Sequence, residues 1–237
     1  HYDKFEQWTF PPSVATATMN RFVKDAELDV LYYHRITDAQ VQNKRIKSIT
    51  LEDSRQPDEK TLIRVKAKQF IDCSYEGDLM AKGNEEQDET LNGVQMSVWH
   101  QFPDGVDPYL KEGDPNSGLC WGIQPNTLQE RGSGDKLVQA YNFRLCLTDN
   151  KENQRPFERP ENYDPAKYEL LARAIRKMNL HIDNYLLFNW GIMPDNKYDV
   201  NNRGPLSTDM IGMNYEYPEG DYATREKIWQ EHVDYTK

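Results

Sequence analysis

Residues 69–81 read QFIDCSYEGDLMA, and this stretch decides the fold. Phe70 and Ile71 are typical of a buried strand, and Leu79 begins a helical pattern. Small and polar residues fill the space between them and end in Gly77-Asp78. A strand that ends in this way before a helix lets a bound ligand approach the backbone closely. The alternative is a tight strand-to-helix turn with Asp78 as the N-cap.

The composition excludes several classes of partner. The chain of 237 residues has a net charge of −10 and a pI of about 5.1, so its field repels nucleic acid and anionic membranes. No apolar run approaches the length of a membrane span, and no signal-peptide pattern is present. Hydrophobic residues make up 37% and mean hydropathy is −0.91, which is lean for a core. We therefore expect the fold to rely on apolar surface from segments outside this sequence.

Cysteine usage gives no metal site. The three cysteines are Cys73, Cys120 and Cys146, and no CxxC pair occurs. Scattered cysteines support neither a zinc site nor an iron–sulfur cluster, and an odd number argues against a disulfide framework. The cysteines therefore do not indicate in which cellular compartment the protein works.

The first third of the chain predicts a helix followed by a β-meander. A helix is expected over residues 13–27 after a Pro-Pro stop signal, and a short apolar strand over 30–33. Residues 36–41 and 45–51 form a hairpin pattern around Asn43-Lys44. Residues 61–65 add a third strand, and residues 69–73 a return strand.

The remainder predicts strands and two further helices, and so an α/β (α+β) fold. Strands are expected over 93–102 and 137–148, separated by a Pro/Gly-rich loop over 103–135. A helix over 164–178 is capped by Asp164 and places Tyr168, Leu171, Ile175 and Met178 on one face. The last helix begins near Asp221, lines up Ile228, His232 and Tyr235, and meets no stop signal before Lys237. Both ends of the chain therefore look cut.

Arg144 is the first candidate for ligand binding outside the opening stretch. It lies inside the apolar run AYNFRLCLTD, and an Arg in that setting requires a carboxylate or an anionic ligand. The alternative is an internal salt bridge. A polar loop over residues 201–215 adds candidates of lower weight, and its alternative is a solvated loop held by Asx turns. These candidates are Asn201, Asn202, Asp209 and Asn214. Trp99, His100 and Trp121 could stack on sugar rings, although aromatic residues more often form core.

Three runs resemble one family. The run QFIDCSYEGDLMAK, residues 69–82, looks like the FIDATGDGDLA segment of FAD-dependent oxidoreductases of the glutathione-reductase-like superfamily. Residues 138–171 and 207–235 resemble later blocks of one bacterial branch of that family. The branch is labelled xanthan lyase-like and is also grouped with heterodisulfide reductase A-like flavoproteins. The resemblance spans nearly the whole chain.

The resemblance implies a two-part protein with FAD as its cofactor. An N-terminal βαβ unit with GxGxxG holds the FAD pyrophosphate, and that pattern does not occur in this sequence. Residues 1–82 then correspond to a remnant of the FAD-binding domain, 83–220 to a β-rich substrate domain, and 221–237 to the start of a helix that returns to the FAD domain. Cys73, Ser74, Gly77 and Asp78 fall at the cofactor positions, where Asp78 could accept hydrogen bonds from ribityl or ribose hydroxyls. Tyr75 stands where the family has Gly.

The function implied is flavin-mediated hydride transfer from a small organic or carbohydrate-derived substrate. Arg144 is the expected contact for the substrate or an anion, no catalytic base is assigned, and His100 is only a possible one. Because half of the cofactor site lies in missing N-terminal and C-terminal segments of a parent chain, the fragment alone is expected to be inactive. The alternatives are a polysaccharide lyase, with His100, a Tyr and Arg144 acting on a uronate, and a non-catalytic carbohydrate-binding module.

Overall fold

The fold is a mixture of helices and two small antiparallel sheets, which confirms the predicted α/β class. The computed structural model describes residues 9–57, 59–83, 106–123, 137–179, 188–202, 208–210 and 212–237. The chain splits into two compact units, Arg21–Leu91 and His1–Asn20 with Asn92–Lys237. The assignment of residues 1–82, 83–220 and 221–237 to flavin and substrate domains stays a prediction. None of the described helices is both long enough and apolar enough to cross a bilayer.

Helix α1, Pro12–Asp25, precedes the first sheet and confirms the predicted helix. The sheet is the meander β1-β2-β3, with strands His34–Gln42, Arg45–Asp53 and Ile63–Val65. A short helix α2, Asp78–Lys82, packs against β1. Ala39 and Ser48 are buried in this unit, whereas Leu28, Val30 and Leu31 and the neighbouring tyrosines are exposed. The unit therefore presents much apolar surface of its own to solvent.

The turn between β1 and β2 is the predicted hairpin at Asn43-Lys44. Gln42 pairs with Arg45, so the loop has two residues, and its φ angles are 53° at Asn43 and 58° at Lys44. Two left-handed residues define a type I′ turn, which matches the twist of the flanking strands. Asn tolerates this conformation, but Lys places its Cβ against the backbone.

We expect Lys44→Gly to raise the free energy of unfolding by about 0.5 kcal/mol. The substitution removes a left-handed penalty of roughly 1–2 kcal/mol and adds the backbone entropy of a glycine, roughly 0.5–1 kcal/mol. Urea denaturation measures the difference. Lys47→Gly, inside β2, is the control and should destabilise the protein. Equal destabilisation by both variants would contradict a type I′ strain at Lys44.

Two predicted strands of this unit are wrong. Residues 30–33 form no strand, and residues 69–73 form a loop without ladder hydrogen bonds. Both have strand-forming residues, but a strand also requires a neighbour to receive its backbone groups. Within the described residues, the first sheet ends at β1 and β3, and no strand pairs with either segment.

The second sheet has the order β4-β6-β5, with strands Leu145–Thr148, Phe188–Met193 (β5) and Lys197–Asn202 (β6). The predicted strand over 137–148 is therefore confined to its last four residues. The β5–β6 hairpin was not predicted, although Asp195 and Asn196, both left-handed, supply a hairpin turn signal. The prediction for 93–102 lies outside the described residues. The described part of the 103–135 loop contains an isolated bridge, Tyr109–Leu119, and a 3-10 turn, Pro115–Ser117.

The two long C-terminal helices confirm the predictions in different degrees. A 3-10 turn, Pro165–Tyr168, leads into α3, Glu169–Met178, and Asp164 caps the turn by accepting from the Ala166 amide. The residues that α3 buries are Leu170, Arg173 and Ala174, so the predicted face is rotated and Met178 is exposed. Helix α4, Tyr222–Thr236, is capped by Asp221. It buries the predicted residues Ile228, His232 and Tyr235.

Candidate functional site

The loop between residues 72 and 78 is organised by the carboxylate of Asp72. Its Oδ1 accepts from the amide and the hydroxyl of Ser74 at 2.8 and 2.6 Å. Its Oδ2 accepts from the amides of Leu79 and Met80 at 2.9 and 3.0 Å. These two amides are among the first four of a helix, which have no partner inside the helix. Asp72 therefore caps α2 from six residues before the helix begins.

Ser74 and Gly77 complete this turn. The Ser74 hydroxyl accepts from the Asp78 amide at 2.9 Å, and the Ala81 amide donates to the Gly77 carbonyl at 2.9 Å. Gly77 is the N-cap residue and has φ 68°, a left-handed conformation that favours glycine. The alternative that named Asp78 as N-cap is wrong in this detail, because the capping oxygens belong to Asp72 and Ser74.

The outer side of this loop is open to solvent. Cys73 and Ser74 are exposed, and the side chain of Tyr75 is fully exposed. Asp78 is half-buried. Small side chains at 73, 74 and 77 therefore leave the backbone of the turn accessible, and Tyr75 does not cover it.

Hydrogen bonds hold the pKa of Asp72 below its usual range. Partial burial alone would raise this pKa, but the hydrogen bonds from Ser74, Met80 and Leu79 together outweigh it. A carboxyl whose folded pKa is depressed contributes stability above its unfolded pKa, about 3.9. That contribution disappears as pH falls through the lower folded pKa.

We expect Asp72→Asn to destabilise the protein by about 1 kcal/mol near neutral pH, as for the loss of a helix cap. The difference between wild type and variant should shrink as pH falls below about 4, because protonated Asp72 also loses its charge-assisted bonds. Urea denaturation at several pH values between about 6 and 3 measures it. A difference that stays constant over this range would show that the charge of Asp72 does not hold the turn.

Of the predicted substrate residues, Asn201 lies on β6 of the second sheet, and Arg144 directly precedes β4. The Arg144 guanidinium makes a bidentate ion pair with Asp199 of β6, with Nε at 3.0 Å from Oδ1. Asn142 donates its amide to Asn201 Oδ1 at 3.0 Å. Asp199 and Asn201 share a face of β6 because they are two residues apart. The structure thus brings Arg144 and Asn201 into one polar row, where the Arg144 side chain keeps 58% of its exposure.

The other three substrate candidates are placed separately. Asn214 is fully buried and donates to the Gln139 carbonyl at 2.8 Å. Asp209 is half-buried. The side chain of Asn202 lies outside the described residues, as does His100. In the part of the chain that the structure describes, no group of three acidic, His or Cys side chains could hold a metal ion.

The sequence did not reveal the role of Arg173. Its side chain is 7% exposed on α3 and donates to the carbonyls of Asp107, Tyr109 and Leu110 at 2.9, 2.7 and 3.3 Å. It also pairs with Glu169 at 2.7 Å. The four-residue spacing of Glu169 and Arg173 signals an ion pair on one helix face, but the loop carbonyls lie more than 60 residues away in sequence. Arg173 fastens residues 107–112 to α3.

Comparison with protein families gives a match over the whole chain. The family model for FAD dependent oxidoreductases matches residues 1–237, the whole chain. No curated protein and no solved structure matches the chain significantly. The match covers both compact units, the Asp72–Lys82 turn and the second sheet.

Proposed function

The chain belongs to the FAD-dependent oxidoreductase family, and from that premise we propose that it supplies one wall of a flavin site and the substrate side of an enzyme. The observation that carries this proposal is the match of the family model over the full length of the chain. The reaction would be removal of a hydride from an organic substrate, with carbohydrate-derived compounds among the candidates. FAD supplies the redox chemistry when bound, and the protein supplies position and electrostatics.

The turn over residues 72–78 fits a flavin nucleotide in one respect. Its backbone is accessible at Cys73, Ser74 and Gly77, and a left-handed glycine offers no Cβ to an approaching phosphate or sugar chain. Asp78, half-buried at the start of α2, has carboxylate oxygens that accept hydrogen bonds from hydroxyl groups. We propose these four residues as the cofactor contacts of this chain.

The proposed substrate contacts are Arg144, Asn201, Asn202, Asp209 and Asn214. Arg144 holds Asp199 in the structure, so an anionic substrate would have to compete with that carboxylate. Exposed ion pairs of this kind are worth only about 0–1 kcal/mol, and exchange of partners is therefore inexpensive.

We further propose that this chain is catalytically active only when it is joined to a GxGxxG βαβ unit. The family resemblance assigns the FAD pyrophosphate to that unit, and the 237 residues contain no GxGxxG. The compact unit Arg21–Leu91 exposes apolar residues, and this supports the proposal because a βαβ unit packed on them would cover that surface. The exposed residues include Leu28, Leu31, Tyr32, Tyr33 and Ile71.

The test is flavin uptake by the complemented protein, which we define as this chain joined to a GxGxxG βαβ unit from a flavoprotein of the same superfamily. After incubation with FAD and desalting, we expect the two visible absorption bands of oxidised flavin, and weaker or no retention by the chain alone. A complemented protein that folds but retains no FAD would contradict the oxidoreductase proposal. Ultraviolet absorption of an unsaturated sugar product without flavin would favour the lyase, and sugar binding without turnover would favour the binding module.

A further inference from the structure

Four aromatic rings lie in a continuous row in the compact unit that contains α4. Tyr163 stacks on Tyr168 with the ring centroids 5.7 Å apart, and Tyr168 stacks on Tyr235 at 5.6 Å. Tyr235 then contacts Trp121, whose ring centroid is 5.3 Å away and whose plane is tilted by 33°. We call these residues the aromatic row. Its members come from three segments that are distant in sequence, and so the fold assembles it.

The aromatic row leads from the interior to the surface. Tyr235 is buried, at 8% exposure, and Trp121 and Tyr168 on either side of it are half-buried. Tyr163 is exposed at 39% and is the outermost member. The row therefore connects a buried ring to solvent through direct ring-to-ring contacts.

Packing explains the contacts of the aromatic row but not its composition. Aromatic rings stabilise a core whether or not they carry a polar group, and the Phe143–Trp229 pair of the same unit includes a phenylalanine. Every ring of the row is instead a phenol or an indole. These are the two aromatic side chains that give up a single electron to a radical oxidant, whereas phenylalanine resists it. Rings in contact can also pass an electron from one to the next.

The two inner tyrosines can pass an electron hole, the absence of one electron, but cannot keep it. A phenol that loses an electron becomes a strong acid, and its radical is stable only after the proton has left. The Tyr168 hydroxyl donates to the Tyr235 carbonyl oxygen at 2.8 Å, and a carbonyl is too weak a base to hold that proton. Burial is the main cause that raises the pKa of both phenols. The Asp209 carboxylate also raises the pKa of Tyr235, and its charge favours a transient positive charge on that ring.

Cations cover both ends of the aromatic row. The Arg159 guanidinium lies 4.2 Å from the centroid of the Tyr163 ring, and the Lys167 ammonium lies 5.7 Å from that of Trp121. A nearby cation disfavours a positive ring, so an oxidised ring at either end releases its proton to solvent. Near neutral pH the resulting tyrosyl radical is lower in energy than the tryptophanyl radical. The hole therefore moves from Trp121 towards Tyr163.

We propose that the aromatic row conducts an electron hole from Trp121 to Tyr163 and so carries oxidising equivalents out of the interior. A radical oxidant takes one electron from Trp121, and the indole proton goes to water. Electrons then move along the row to Trp121, which regains a proton from water. Tyr163 finally loses one electron, and its phenol proton goes to water. The net change is one electron gained by the oxidant and one electron and one proton lost by Tyr163. The route needs no flavin, and it goes beyond the proposed function.

The experiment oxidises the 237-residue chain with azidyl radicals, which near neutral pH attack tryptophan in preference to tyrosine. A nitroso spin trap captures the protein radicals, and peptide mass spectrometry locates and quantifies the adducts. We expect an adduct at Tyr163 in the wild type. In Trp121→Phe the entry point is lost, and the yield at Tyr163 should fall to the level produced by direct attack.

Two variants interrupt the aromatic row and keep its packing. Tyr235→Phe and Tyr168→Phe each retain a ring but remove the phenol that can be oxidised. Tyr235→Phe also leaves the backbone carbonyl that accepts from Tyr168. Each variant should lower the Tyr163 adduct to the level of Trp121→Phe and increase the oxidation products found at Trp121. Because the two variants change different positions, the test survives if one of them does not fold.

Tyr198→Phe is the matched control. Tyr198 contacts Trp190 at 6.1 Å on the second sheet, so the variant removes a phenol beside a tryptophan outside the aromatic row. It should leave the Tyr163 adduct unchanged. An equal loss in Tyr198→Phe would overturn the route, because the effect would not depend on the row. A Tyr163 yield that is the same in the wild type, Trp121→Phe and the two interrupting variants would also overturn it and leave the row as packing.

Discussion

Replacing Arg173 with Met is expected to lower the free energy of unfolding by about 3 kcal/mol. The guanidinium is buried and bonds three loop carbonyls together with Glu169. Met fills a similar volume but donates no hydrogen bond, so the carbonyls of Asp107, Tyr109 and Leu110 lose a partner, at roughly 1–3 kcal/mol for each one left buried. Urea denaturation monitored by tryptophan fluorescence measures the loss.

Arg176→Met is the matched control, three residues further along the same helix. Arg176 faces Glu112 and Glu169 at 3.7 and 3.6 Å, but its side chain is 62% exposed. An exposed pair of this kind is worth little, and we expect a change below about 0.5 kcal/mol. Arg173→Lys keeps the charge but cannot reach several carbonyls at once, so it should fall between the two. Equal losses in Arg173→Met and Arg176→Met would refute the idea that Arg173 fastens the loop.

The reactivity of the Cys120 thiol reports independently on whether the same loop stays attached to α3. Its thiol is buried and donates to the Tyr109 carbonyl at 3.3 Å, the carbonyl that also accepts from Arg173. Burial is the main cause that raises the pKa of Cys120, which keeps the thiol protonated and unreactive. If the loop detaches in Arg173→Met, Cys120 should react with a thiol reagent faster than in wild type. Cys73 and Cys146 are exposed and should react readily in every variant.

Local signals in the sequence predicted local structure well. Asn43-Lys44 specified a hairpin, Asp164 and Asp221 specified helix starts, and the spacing of Ile228, His232 and Tyr235 identified the buried face of α4. Each of these features depends on residues within a few positions of each other, where propensity and periodicity act directly.

Features that depend on distant residues could not be predicted. Residues 30–33 have the composition of a strand, but a strand also requires a neighbour. The partner of Arg144 is Asp199, 55 residues away, whereas the sequence predicted a substrate or anion contact and gave an internal salt bridge as the alternative. The turn at Gly77-Asp78 was located correctly, yet its cap comes from Asp72, because a carboxylate six residues before the helix folds back onto the Leu79 and Met80 amides.

Gly77→Val is expected to weaken FAD binding by the complemented protein on the order of 100-fold, or about 2.7 kcal/mol. Gly77 has φ 68°, where a β-branched residue is strained by roughly 1–2 kcal/mol. The strain would displace the turn that holds Ser74 and Asp78, two of the proposed cofactor contacts. The new side chain would also project from a backbone that must lie close to the cofactor. Fluorescence titration with FAD measures the affinity.

Gly122→Val separates the backbone penalty from the loss of binding. Gly122 has φ 86°, and a Cβ built there meets no atom within 4 Å. Gly122→Val therefore has a backbone strain similar to that of Gly77→Val, without a steric clash. Both variants should lose similar stability, while only Gly77→Val loses FAD. If the two bind FAD equally tightly, the turn is held by Asp72 for structural reasons alone, and the flavin contacts of this chain lie elsewhere. If only Gly77→Val fails, close approach of the cofactor explains why this turn has a glycine where Asp72 and Ser74 already cap the helix.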